Sequence, residues 1–238
     1  MLRLDKYLAD GGAGSRSQVK EYIKKGKVSV NGIIVKNADA SVLDDDIVEC
    51  MGKRYSAGKF RYYMLNKPAD VVSATTDNRD RTVLDILKEC DVNIKDLFPV
   101  GRLDKDTEGL LLITDDGQLS HELLSPKKHV DKTYEVGLRD LFTTEMERKL
   151  TEGVDIGEKR PTMAAKVQII DDKKILLTIH EGKFHQVKRM LMAVGNEVIY
   201  LKRLKMGPLS LDDSLGQGEF RELSDCEINA LKTIHEGK

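Results

Sequence analysis

No apolar run in this 238-residue chain approaches the 18 or so residues that a membrane-spanning helix needs. The opening residues, Met1-Leu2-Arg3-Leu4-Asp5-Lys6, lack the apolar stretch of a secretory signal and carry an acid early, so the expected location is the cytoplasm. Cysteine is scarce. Cys50, Cys90 and Cys226 are odd in number, widely spaced and form no Cys-x-x-Cys pair, which argues against a disulfide framework or a zinc ribbon and predicts reduced, structural thiols. The five histidines show no His-x-x-x-His or His-Glu-x-x-His spacing, so no metal is expected. A Rossmann glycine fingerprint and a P-loop are also missing, and no nucleotide cofactor is expected.

What remains is a globular composition, 40% hydrophobic and 33% charged, on a chain long enough for one or two domains. The net charge of −1 conceals an uneven distribution. Residues 1–36 hold eight basic side chains (Arg3, Lys6, Arg16, Lys20, Lys24, Lys25, Lys27, Lys36) against three acids. Residues 183–205 hold six, including Lys188 and Arg189, against the single acid Glu197. Two basic regions in a nearly neutral chain point to a polyanion touched at two places.

All five prolines follow residue 67, so the first quarter differs in texture. There, 2–8 and 15–25 read as two short helices joined by Gly11-Gly12-Ala13-Gly14, with Ser15 as N-cap and Gly26 as the terminator. Apolar alternation around Asn31-Gly32 predicts a hairpin, 44–46 a turn, and 47–50 a short strand. The segment 51–59 reads as a linker. Beyond it, strands are expected at 61–66, 109–114, 132–137, 165–170, 175–180 and 197–203, and helices at 82–90, 117–124, 143–152, 185–194 and 224–234. The short strands do not alternate strictly with helices, which predicts an α+β fold with a mixed or antiparallel sheet flanked by helices. The expected domains are 1–58, a small αα-then-β module, and 59–238.

The most informative stretch is Val100–Gly117, where an acidic loop runs into the apolar Leu110-Leu111-Leu112-Ile113 and then an Asp-Asp-Gly turn. A carboxylate on such a loop is aimed by the buried strand behind it. Asp104, Asp106, Glu108, Gly109 and Asp115 fall at positions 1, 3, 5, 6 and 12 of a calcium loop. A short Asp stands where that loop requires a bidentate Glu, however, and the flanks do not read as two helices. In the second helix, Arg16, Lys20 and Lys24 recur at four-residue spacing beside an apolar stripe of Val19, Tyr22 and Ile23, so the helix docks one side and shows cations on another.

Arg3-Leu4-Asp5-Lys6-Tyr7-Leu8, Ser15-Arg16-Ser17 and Gly26-Lys27-Val28-Ser29-Val30-Asn31-Gly32 together resemble the S4 RNA-binding domain. Gly101-Arg102-Leu103-Asp104 with Thr107-Glu108-Gly109-Leu110-Leu111 resembles the catalytic motif of pseudouridine synthases of the RsuA type. Asn66-Lys67-Pro68, Lys132-Thr133-Tyr134-Glu135-Val136 and Glu181–Met190 resemble further motifs of that family, in the same order along the chain. Thr114–Gln118, Ser125–His129 and Ala193–Asn196 are similar to the version found in members acting on small-subunit rRNA. Members acting on 23S rRNA are the runner-up. A non-catalytic, S4-type ribosome assembly factor is the reading from another class.

The resemblance implies conversion of one uridine of 16S rRNA to pseudouridine, by a monomer that needs neither cofactor nor membrane and that meets its RNA free or within a partly assembled ribosomal subunit. One ionised carboxylate suffices, as nucleophile or as base at the sugar. The family match selects Asp104; chemistry alone leaves Asp106 and Glu108 open. An ionised Asp in a secluded pocket needs a cation beside it, and the match implies Lys188, with Arg189 second. Tyr134 matches the residue that stacks on the target uracil, and Arg102 the side chain that occupies the space the base vacates. Arg3, Arg16, Lys20, Lys24, Lys27 and Arg189 are the expected RNA contacts.

Overall fold

The computed structural model describes residues 2–43, 46–55, 60–125 and 128–234. The turn expected at 44–46 and the motif Ser125–His129 lie partly outside these residues, as does the linker beyond 55. The chain divides into two compact units, Met1–Phe60 and Arg61–Lys238. No helix among the described residues is long and apolar enough to cross a membrane.

In the first unit, β1 (Leu2–Arg3) leads into α1 (Leu4–Asp10) and α2 (Arg16–Lys24). Strands β2 (Val28–Val30), β3 (Ile33–Ile34), β4 (Ser41–Val42), β5 (Val48–Cys50) and β6 (Lys53–Tyr55) follow. Ser15 caps α2 reciprocally with Gln18, its hydroxyl accepting from the Gln18 amide while the Gln18 side chain accepts from the Ser15 amide. Leu4, Leu8, Val19, Ile23, Val28, Val42 and Val48 are fully buried and form the unit's own core. Two expectations are corrected here. Leu2 and Arg3 are extended rather than helical, because they pair with Val42 and Ser41, a partner distant in sequence. Lys53–Tyr55 is a strand on β5 rather than linker, following a turn in which Met51 and Gly52 both take positive φ.

The second unit contains β7 (Tyr62–Lys67), α3 (Val83–Glu89), β8 (Phe98–Pro99), β9 (Glu108–Thr114) and α4 (Gly117–Leu124). It continues with β10 (Lys132–Leu138), α5 (Thr144–Glu152), β11 (Lys166–Asp171), β12 (Lys174–Ile179) and α6 (Gln186–Ala193). It closes with β13 (Val198–Met206), β14 (Leu209–Ser210), β15 (Phe220–Glu222) and α7 (Asp225–Thr233). The long sheet runs β11-β12-β10-β13-β9-β7-β15, with β8 and β14 at its side. It is antiparallel except where β13 meets β9 in parallel, so the unit is α+β with a mixed sheet.

β9 lies between β13 and β7, and Leu110–Ile113 are fully buried there, as expected of a strand covered on both faces. Gly109 makes the parallel contact with β13 possible. At φ +98° its backbone runs so close to that of Arg203 that an added Cβ would lie 2.3 Å from the Arg203 carbonyl oxygen. β10 alternates buried and half-buried residues and carries a register shift against β13 between Thr133 and Tyr134. Such an irregularity re-aims side chains, and here it lies beside the site.

Candidate active site

The segment Val100–Thr107 arrives at β9 tied down from several sides. The Val100 amide donates to the Leu112 carbonyl at 2.7 Å, and the Thr107 amide closes a turn on the Asp104 carbonyl at 3.0 Å. The Ser73 hydroxyl both donates to the Leu103 carbonyl and accepts from the Leu103 amide, each at 3.0 Å. Beneath the loop lies Lys67, fully buried, whose ammonium donates to the carbonyls of Pro68, Lys105 and Thr107 at 2.9, 3.1 and 2.8 Å. Burial pushes its pKa down to about 8, against the opposing pull of Asp106 and Asp104. The loop is thus anchored on backbone groups, which leaves the Asp104 side chain free to face outward.

Asp104, Arg102, Tyr134 and Lys188 line one cleft. Its volume of about 140 Å³ is close to the ~150 Å³ of a cavity that accepts a benzene ring. Tyr134 is buried in the wall and Arg102 is exposed at the rim. Of the three acids that chemistry left open, Asp104 lines the cleft. Asp106 is mostly exposed and accepts from the Lys188 ammonium at 2.6 and 2.8 Å. Glu108 accepts from the Tyr200 hydroxyl at 3.0 Å.

Lys188 bridges two carboxylates, since its Nζ also lies 3.3 Å from Asp104 Oδ2. The hydrogen bond from Lys188 holds the Asp106 carboxyl below its ordinary value. Arg189 points elsewhere, correcting its place as second partner of Asp104. Neighbours on a helix are turned about 100° apart, and its guanidinium donates to Glu158 Oε1 at 2.9 Å and to the carbonyls of Phe184 and Ile156.

Three residues of the site are not singled out by the sequence, although Lys132 and His185 lie within its family motifs and Arg203 within its second basic region. His185, whose Nε2 lies 3.5 Å from Asp104 Oδ1, stands just before α6 in a left-handed conformation. Lys132 and Arg203 are nearly fully buried in the cleft lining. Burial, together with the charge of Arg203, lowers the Lys132 pKa to about 8. Lys132 and Arg203 make the cleft electropositive, which favours an anionic ligand. The acids of the calcium-like spacing are dispersed: Asp115 accepts from the Arg61 backbone amide and guanidinium, both at 2.8 Å, at the far end of β9.

In the first unit, Arg3, Arg16 and Lys20 converge on one buried carboxylate, Asp5, with ion-pair distances of 3.0, 3.4 and 3.7 Å. Burial raises the Asp5 pKa, but the hydrogen bonds from Arg3 and Arg16 outweigh it and hold the carboxyl below its ordinary value. Lys24 and Lys27 are exposed.

Residues 61–193 match the RNA pseudouridylate synthase family, and residues 2–48 match the S4 domain. The chain is 49% identical over 235 residues to the uncharacterized RNA pseudouridine synthase YtzG of Bacillus subtilis, covering 97% of this chain and 98% of that one. It is 41% identical to the ribosomal small subunit pseudouridine synthase A of Vibrio cholerae, covering 97% and 99%. It is 40% identical to the ribosomal large subunit pseudouridine synthase B of B. subtilis, covering 98% and 97%. A crystal structure of a pseudouridylate synthase superposes with a TM-score of 0.69 at 40% identity, over 97% of this chain and all of that one. The chain belongs to the RNA pseudouridine synthases, with an S4 domain ahead of the catalytic unit. It is an enzyme that isomerises uridine in RNA, not a non-catalytic assembly factor.

Proposed function

We propose that this protein converts a single uridine of 16S rRNA to pseudouridine, with Asp104 as its catalytic residue. The observation that carries the assignment is the placing of Asp104, alone of the loop acids, in the lining of a cleft that it shares with Tyr134 and Lys188. The reaction breaks the bond from uracil N1 to the sugar, turns the base and joins carbon 5 to the same sugar carbon. A proton leaves carbon 5 and one is gained at N1, so atoms and electrons balance within one nucleotide. The target must first leave its stack, at a cost of a few kcal/mol. Tyr134 offers a face to the uracil, Arg102 at the rim fills the gap, and Asp104 acts at the sugar by attack or by proton abstraction. Lys188 pairs with Asp104 at 3.3 Å and orients it. Arg3, Arg16, Lys20, Lys24 and Lys27 contact phosphates of the folded RNA. The expected setting is the cytoplasm, with the enzyme a monomer on RNA that is free or partly assembled with ribosomal proteins. The domain boundary is placed at 58/59, next to the junction of the two compact units at Phe60.

The small-subunit choice rests on the variant motifs Thr114–Gln118 and Ala193–Asn196 and on the relative so named. Pseudouridine mapping of rRNA from cells lacking the protein tests it. One 16S position is expected to lose its signal, to regain it with the wild-type chain and not with Asp104→Asn. A lost position in 23S rRNA instead would assign the protein to the large subunit, and rescue by Asp104→Asn would move catalysis to another acid.

A further inference from the structure

Among the five phenylalanines Phe184 is the exposed one, with 68% of its surface accessible, and its two chain neighbours, Lys183 and His185, both line the catalytic cleft. Its ring is not loose. It lies face to face on the His185 imidazole, with centroids 3.8 Å apart and planes at 20°. His185 lines the cleft, and its Nε2 lies 3.5 Å from Asp104 Oδ1. The order from solvent inward is therefore Phe184, His185, Asp104.

The backbone carrying these rings is held in an unfavourable conformation. His185 takes φ +47°, ψ +36°, a left-handed geometry uncommon among residues other than glycine, in which His is enriched with Asn and Asp. It persists because the surroundings enforce it. The Phe184 carbonyl accepts from Arg189 at 3.0 Å, and Arg189 is itself anchored on Glu158 and the Ile156 carbonyl. One residue earlier, the Lys183 amide donates to the side chain of buried Gln186 at 2.8 Å, and Gln186 in turn donates to Glu181 at 2.9 Å. The result is an aromatic plate that faces solvent, between two residues of the cleft lining.

We infer that Phe184, backed by His185, is a stacking platform for the nucleobase next to the target uridine, holding the flanking nucleotide while the uridine turns into the cleft. The inference rests on the proposed 16S substrate. An exposed planar ring meets any base by its face, and a plate built outward from Asp104 sets how far from the reacting sugar the neighbouring base is held. Arg189 and Gln186 act as positioning residues through Phe184.

The test compares the wild-type chain with Phe184→Ala, Phe184→Leu and Phe184→Tyr, using tritium release from in-vitro-transcribed 16S rRNA labelled at uridine carbon 5. Leu keeps apolar bulk without a planar face; Tyr keeps the face. Loss of one base–aromatic stack is expected to lower kcat/KM by about 5- to 150-fold in both Ala and Leu variants, with Tyr near wild type. Once the target is mapped, 2-aminopurine placed on either side of it should be quenched on binding to wild type and Tyr but not to Ala or Leu, at one of the two positions. Wild-type rates in Phe184→Ala, or in Phe184→Leu, overturn the platform while leaving the substrate assignment standing. A wild-type chain inactive on the labelled 16S rRNA both free and assembled with small-subunit ribosomal proteins overturns the substrate assignment, and the platform with it.

Discussion

Replacing Lys67 with methionine removes a buried charge from beneath the catalytic loop, and its thermodynamic consequence has a definite sign. Burial lowers the native pKa from an ordinary 10.5 to about 8, so between those values the unfolded chain binds a proton that the native one does not. Stability must then rise with pH through this window. The full displacement corresponds to about 3 kcal/mol. Roughly 2 kcal/mol of it falls between pH 7.5 and 9.5, from the two titration curves taken together. Urea unfolding followed by circular dichroism, at several pH values in that interval, should show this gain in the wild-type chain. Lys67→Met should lose about 2 kcal/mol of the gain relative to wild type. Lys132, lowered to about 8 by the same cause, keeps a second contribution in both proteins, so the variant's slope is reduced and not flat. Hydrogen exchange should also quicken at Asp104–Thr107 as three carbonyls lose their donor. Equal pH slopes in the two proteins would refute the claim that Lys67 is charged and confined beneath the loop.

Three further outcomes are expected. Lys188→Met should reduce the single-turnover rate at saturating enzyme about 100-fold with RNA affinity changed by less than about threefold, since it deletes the charge shared by Asp104 and Asp106 while keeping most of the stem; a normal saturated rate would reduce Lys188 to a phosphate contact. Gly109→Ala should destabilise the catalytic unit by about 3–5 kcal/mol, because the added carbon meets the Arg203 backbone and φ is positive, and an unchanged urea midpoint would contradict that close approach. Asp5→Asn should cost the S4 unit about 2 kcal/mol and weaken RNA binding, while the dependence of affinity on salt persists because Arg3, Arg16 and Lys20 keep their charges; unaltered affinity in a salt titration would show that Asp5 does not organise them.

Local pattern determined much of this molecule in advance. Several helices are announced by neighbours in the chain: Ser15, Thr82, Thr143 and Ser224 cap the helices that follow them. The alternation of Lys132–Leu138 marks a strand with one buried face, and the unbroken apolar run Leu110–Ile113 a strand covered on both. Strands that depend on a distant partner left no such trace. Leu2–Arg3 became extended by pairing with Ser41–Val42, and Phe220–Glu222 by pairing with β7 across more than 150 residues.

The site divides along the same line. The loop acids, the tyrosine and the basic pair could be named because family motifs are contiguous in sequence. Which acid faces the cleft, and that Lys188 rather than Arg189 reaches it, follow from helix phase and loop anchoring, which exist only after folding. Lys67 and Lys132 give no warning of burial, since a lysine's charge is visible in sequence and its solvation is not. The plate of Phe184 on His185 depends likewise on Arg189 of α6 meeting Glu158 and Ile156 from a separate segment. Composition and spacing specify which groups a chain carries. Their pKa values, partners and aim are set by the dielectric and the neighbours that only the tertiary structure brings together.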